Sequence, residues 1–210
     1  MTVENVESKE HWENIYKTKS SKEVSWHKPH LDKSLELILS AGIDKNASII
    51  DVGGGVSTLV DDLLEHGFKN IAVLDISSKA LEVSKNRLGE KASQVEWFAA
   101  DITQVSLKPN HYDLWHDRAV FHFLTLPQGR KKYVKAMNES LQSGGHLIIA
   151  TFGMNGPLRC SGLEIVRYSP ESLQAELGTG YQLLKHFSEV HHTPFGTTQE
   201  FLCCHFQKIT

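Results

Sequence analysis

The sequence predicts an α/β fold built on a largely parallel sheet, and three observations carry that reading. Four strand-like runs end in aspartate, at Asp51, Asp75, Asp101 and Asp117. Helix-like segments alternate with them at the spacing of βαβ units. The tail then changes character, with two long strand-like runs flanking a Pro- and Gly-containing loop, the pattern of an antiparallel hairpin.

The elements follow in order. Before about Asn46 the chain holds two helix-like pieces around Ser20-Ser21. Ala47–Asp51 is the first strand, followed by Gly53-Gly54-Gly55 and a helix from about Ser57 to His66, stopped by Gly67. Asn70–Asp75 is the second strand, and Ser77 or Ser78 caps a helix running to about Leu88 and ending at Gly89. Gln94–Asp101 and Tyr112–Asp117 are the third and fourth strands. Pro127 suits a first helical turn ahead of Gln128 to Leu141, and Gly144-Gly145 introduces the apolar strand His146–Phe152. Ser169-Pro170-Glu171-Ser172 opens a short helix ending near Gly178, and Tyr181–His192 with Thr198–Lys208 forms the hairpin. One domain is expected: a helical preface over residues 1–45, a core over 46–153, and a loop, helix and hairpin over 154–210.

With 210 residues the chain can bury a core, and 40% hydrophobic with 22% charged residues is ordinary for a globular protein. A formal net charge of -3 argues against a binder that neutralises nucleic-acid phosphates broadly. The start lacks a signal-peptide core, and no run reaches the roughly 18 apolar residues of a membrane span, so a cytoplasmic protein is expected. Cys160, Cys203 and Cys204 lack a zinc or dithiol spacing and read as reduced, buried thiols.

Ligands of open α/β sheets bind beyond the carboxyl ends of the strands. Four carboxylates there would make an acidic crevice, suited to amines, ribose hydroxyls or a positive charge. The glycines invite comparison with G-x-G-x-x-G, but Thr58 stands where the third glycine belongs. Asp51 would also repel a pyrophosphate docked on the following helix. Asp75 stands where an acid can take two ribose hydroxyls, a role that NAD sites share.

Asp51-Val52-Gly53-Gly54-Gly55 resembles the D-x-G-x-G motif of class I S-adenosylmethionine-dependent methyltransferases. Leu74-Asp75-Ile76-Ser77 resembles their second motif, Ala100-Asp101-Ile102 their third and Asp113–Arg118 their fourth. Leu141–Leu147 is similar to their L-x-P-G-G-x-L turn, with Gln142-Ser143 in place of the usual Lys-Pro. The resemblance spans Ser48 to Phe152, in the family's order. It implies a Rossmann-like three-layer α/β/α sandwich with seven strands, mostly parallel, and an antiparallel C-terminal strand. It also implies S-adenosylmethionine as cofactor and S-adenosylhomocysteine as product. Gly53 and Gly55 would let the backbone approach the methionine end, and Asp51 would orient its amino group. Asp75 would accept the ribose hydroxyls, Asp101 and Ile102 would read the adenine amine, Ile76 would pack on the ring, and Asp117 would border the methionine moiety. His11–Tyr16 and Val24-Ser25-Trp26 resemble the W-D-x-x-Y…W lead of small methyltransferases, whose preface covers the cofactor, so Trp26 and Tyr16 are candidates for that cover.

Methyl transfer from a sulfonium is an in-line displacement in which alignment supplies much of the acceleration, and a base helps only a protonated acceptor. Arg118, His122 and Phe123 follow Asp117 where the family lines the transfer mouth. His122, with a near-neutral ordinary pKa, is the candidate base. Arg159, Arg167 and Tyr168, in the polar segment after the fifth strand, are candidates for the acceptor, the arginines as a carboxylate clamp. His191-His192 reads as a hairpin edge. The pair is not expected to bind metal, because adjacent strand residues point apart. A small-molecule acceptor is the first reading and protein lysine the second. Nucleic acid ranks below both, since Asp117-Arg118-Ala119-Val120 lacks the [DNS]-P-P-[FYW] pattern of base-amine methylation. A non-catalytic cofactor binder and an NAD-dependent oxidoreductase are the rival classes.

Overall fold

The computed structural model describes residues 3–18 and 23–210. The break at Ser20-Ser21 lies outside them. The elements are α1 (Val3–Thr18), α2 (Asp32–Ser40), β1 (Ser48–Val52), α3 (Leu59–Glu65), β2 (Asn70–Asp75), α4 (Ser78–Leu88), β3 (Val95–Ala99), β4 (Tyr112–Arg118), α5 (Pro127–Ser140), β5 (Leu141–Phe152), a two-residue pair β6 (Arg159–Cys160) and β7 (Leu163–Glu164), α6 (Pro170–Leu177), β8 (Tyr181–His192) and β9 (Thr198–Lys208).

Seven strands form one sheet in the order β3-β2-β1-β4-β5-β9-β8. β1 to β5 are parallel, while β9 runs antiparallel to both β5 and β8. Strand alternation divides the core in two. Ile50, Val52, Leu74, Trp115, Leu147 and Ile149 face α5 and α6, packing on Tyr133, Met137 and Leu173. Ile49, Ile71, Val73, Leu114 and Ile148 face the other way, onto Leu37 and Ile38 of α2, Leu59 and Leu63 of α3, and Leu81 of α4. This is the three-layer sandwich expected. Among the described residues no helix is long and apolar enough to cross a membrane.

The helix ends follow their sequence signals. Ser77 caps α4 by accepting the Ala80 amide, and Gly89 closes it with φ +58. Ser169 and Ser172 form a reciprocal capping box on α6. Three boundaries differ from expectation by two residues or more. α3 starts at Leu59, because the Ser57 hydroxyl takes the Leu59 amide and holds Ser57 in the preceding turn. β5 starts at Leu141 because that residue pairs with Tyr112, so the Gly144 turn is an irregularity within the strand. β3 ends at Ala99, and Asp101 folds its carboxylate back onto the Thr103 amide and hydroxyl.

Candidate active site

Two adjoining cavities lie at the carboxyl ends of β1, β2 and β4. The larger, about 150 Å³, has Asp75, Ile76, Asp101 and Ile102 along one side and Trp12, Tyr16, Trp26, Arg118, Phe123 and Phe201 along the other. The smaller, about 40 Å³, lies between Asp51, Gly53 and His116 below and His27 and Lys28 above. Tyr16, Trp26, Gly53 and Arg118 border both.

Asp75 ends β2 with its carboxylate buried, accepting the Gly55 amide at 3.0 Å and the Ser77 amide at 2.8 Å. Each oxygen has a further lone pair for a ligand hydroxyl. Burial, reinforced by Asp51 and Glu13 and opposed by the two amide bonds, pushes its pKa up to about 6. Gly53 turns the chain out of β1 at φ +75, and a Cβ there would lie 2.0 Å from Val120 Cγ2. After β4, Ala119 adopts φ +71, a conformation that costs a non-glycine residue free energy and swings Val120 and Phe123 toward the larger cavity.

The cover is aromatic. Ser8, Trp12 and Tyr16, spaced four apart on α1, present one helical face to the cavity. Trp12 meets Phe123 edge-on at 5.1 Å and Trp26 at 5.6 Å. Trp26 is held from below by the Arg118 guanidinium, which donates to its carbonyl at 3.2 Å. His191, fully buried, bonds the neighbouring Ser25 carbonyl at 2.7 Å, and Lys28 pairs with Glu189, so β8 ties this segment over the strand ends. α1 is latched to α4: Glu13 accepts the Ser78 amide at 2.8 Å, the Ser78 hydroxyl at 2.9 Å and the Lys79 amide at 3.3 Å.

Several expected site residues lie elsewhere. Asp117 is fully buried beneath the sheet, accepting the Val120 and Phe121 amides and the Tyr133 hydroxyl, and lines neither cavity. Gly55 also lines neither; its missing side chain makes room for Ala80 and Asp75. Arg159 donates to the Gly162 carbonyl and Arg167 to the carbonyls of Met154 and Gly156, so both are spent on their own loop. Tyr168 packs in the core against Phe121. Trp12, Cys160, Phe201 and His116 were not singled out from sequence as site residues. The four-residue spacing of Trp12 and Tyr16 is the signal that could have found the first.

His122 is corrected as a base. Its ring is fully buried against Phe152, its Nδ1 accepts the Phe152 amide at 3.2 Å, and burial pushes its pKa down to about 3. A proton acceptor needs solvent or substrate access, which this ring lacks. The neutral ring contributes stability above its unfolded pKa that is lost as pH falls through 6.5 toward 3. His122→Asn, whose amide oxygen can take the Phe152 bond, should therefore keep turnover and unfold at lower pH in acid titrations followed by circular dichroism. An unchanged acid midpoint would refute this assignment.

Residues 50–149 match a family model described as a methyltransferase domain. The zebrafish (Danio rerio) EEF1A lysine methyltransferase 2 is 24% identical over 69% of this chain and 68% of its own length. A solved structure from echinomycin biosynthesis, concerning conversion of a disulfide bond into a thioacetal group, superposes with TM-score 0.79 and 13% identity, covering 96% of this chain and 92% of that one. The N-methyltransferase NodS of Bradyrhizobium japonicum, solved with S-adenosylhomocysteine, superposes with TM-score 0.71 and 19% identity, covering 97% and 98%.

Proposed function

We propose that this chain, which has the fold of class I S-adenosylmethionine-dependent methyltransferases, takes S-adenosylmethionine as its cofactor and methylates a small, carboxylate-bearing acceptor held under α1. The residues fit the cofactor. Asp75 would take the ribose hydroxyls, with Ile76 and Ile102 as apolar walls for the adenine and Asp101 at its rim. Asp51, on the smaller cavity, has one carboxylate oxygen without a hydrogen-bond partner among the described residues, a site for an ammonium. The aromatic faces of Trp12, Tyr16 and Trp26 suit a sulfonium.

When bound, S-adenosylmethionine supplies an electrophilic methyl group. The protein's work is then alignment and exclusion of water. The aromatic cover excludes solvent, and Phe123 and Phe201 narrow the approach. Tyr16 and Cys160 also line it, but burial holds the phenol well above its usual pKa and pushes the thiol up to about 12, so both stay protonated at neutral pH.

The acceptor class rests on Arg118. Its guanidinium stands over Phe201 at 4.6 Å and borders both cavities, and its buried Nη2 has no partner among the described residues. A buried donor left unpaired costs about 1–3 kcal/mol, which an anionic acceptor would relieve and a lysine ammonium would not. Likeness to the zebrafish lysine methyltransferase favours protein lysine as the second reading. Release of S-adenosylhomocysteine distinguishes them when small carboxylated amines and thiols are screened beside lysine peptides. On a small acceptor, Arg118→Met should raise KM roughly 10- to 100-fold while S-adenosylhomocysteine affinity stays within about threefold. Turnover of a lysine peptide alone would sink this reading.

A further inference from the structure

Asp51 and His116 face each other directly across β1 and β4 in the sheet register. His116 Nδ1 lies 2.7 Å from Asp51 Oδ1, and Nε2 lies 2.9 Å from the Ser34 hydroxyl of α2. Asp51 is 2% exposed and His116 1%, so neither meets bulk water. A carboxylate only accepts, so Nδ1 carries hydrogen and donates to Asp51. With one oxygen held in this way, rotation of the carboxylate is restrained, and Oδ2 is left without a partner among the described residues. Oδ2 tucks under the glycine turn, where a Cβ on Gly54 would lie 2.3 Å away. Asp51 and His116 both border the smaller cavity.

We propose that His116 is a positioning residue that fixes the Asp51 carboxylate so that it can receive the cofactor's amino group, with Ser34 holding the ring from behind. The inference rests on the methyltransferase reading above. His116 touches neither methyl donor nor acceptor in this scheme. It acts through Asp51 alone, on the amino-acid end of the nucleoside and not on its adenosine end. The geometry also explains why a buried polar pair survives in the sheet beneath α2: each ring nitrogen has a partner, and the carboxylate is served from one side.

Two variants separate the ring's two bonds. His116→Asn sets an amide nitrogen near the place of Nδ1 and keeps the link to Asp51. His116→Gln reaches toward Ser34 and abandons Asp51. Calorimetric titration with S-adenosylhomocysteine, which carries the amino-acid end, and with 5′-methylthioadenosine, which lacks it, reads the effect. His116→Gln should weaken S-adenosylhomocysteine about tenfold or more, a charge-assisted bond's worth. His116→Asn should stay within about threefold, and methylthioadenosine should bind all forms alike. Equal losses in both variants, a parallel loss of methylthioadenosine, or an unchanged His116→Gln would overturn the proposal. If His116→Gln does not fold, Ser34→Ala decides: S-adenosylhomocysteine affinity must fall about threefold with methylthioadenosine unchanged, and no fall overturns it. A wild-type chain that binds neither nucleoside would sink the methyltransferase reading instead.

Discussion

Asp75→Ala is expected to weaken S-adenosylhomocysteine binding about 10- to 150-fold, the worth of a charge-assisted hydrogen bond of about 1.5–3 kcal/mol. The fold should survive, because two effects oppose. The substitution strands the Gly55 and Ser77 amides, at about 1–3 kcal/mol each. It also removes a buried charge, and holding a carboxyl ordinarily near 3.8 at about 6 is worth about 3 kcal/mol. The melting temperature should therefore move by only a few degrees. The same raised pKa gives a pH signature. Ribose hydroxyls need an accepting carboxylate, so wild-type affinity should fall below pH 6, by up to about tenfold per pH unit. Calorimetry between pH 7.5 and 5 checks this, and a flat dissociation constant would remove Asp75 from the site.

Gly55→Ala is expected to damage both stability and binding. A Cβ at this position would lie 2.5 Å from Ala80 Cβ and 2.6 Å from Asp75 Oδ2. Ala80 belongs to the first turn of α4 and its Cβ cannot rotate away, so the helix must shift or the Asp75 carboxylate must move. Overpacking of this kind costs about 1–3 kcal/mol, or roughly 3–10 °C in melting temperature for a chain of this length. Cofactor affinity should fall alongside, through the displaced Asp75. Thermal melts with and without S-adenosylhomocysteine measure both, and a variant unchanged in each would show that the turn has slack the distances deny.

Periodicity made the fold readable, while parity hid part of the site. Glycine, proline and serine punctuation placed α3 to α6 to within about two residues, and the hairpin boundaries were read to the residue. Asp75 was legible because its strand ends where the crevice opens. Asp117 was not, because adjacent strand residues point to opposite faces and nothing local says which one faces the ligand. The register answers it: His116 is opposite Asp51, so Asp117 turns beneath the sheet to Tyr133. That register is a long-range fact, invisible in either strand alone. Arg159, Arg167 and Tyr168 were misplaced for a different reason. Loop arginines commonly satisfy nearby carbonyls, and a tyrosine in a polar segment can still be drawn into the core.

The Glu13 latch would make cofactor exchange a matter of timing. One carboxylate on the covering helix supplies the acceptors for the amides of Ser78 and Lys79 at the start of α4, immediately downstream of Asp75. α1 cannot swing away without baring those donors to water, so on the proposed reading an opening that admitted or released a nucleoside would also expose the same two hydrogens. Their deuterium uptake would then report that opening, and it should slow in step with nucleoside residence time.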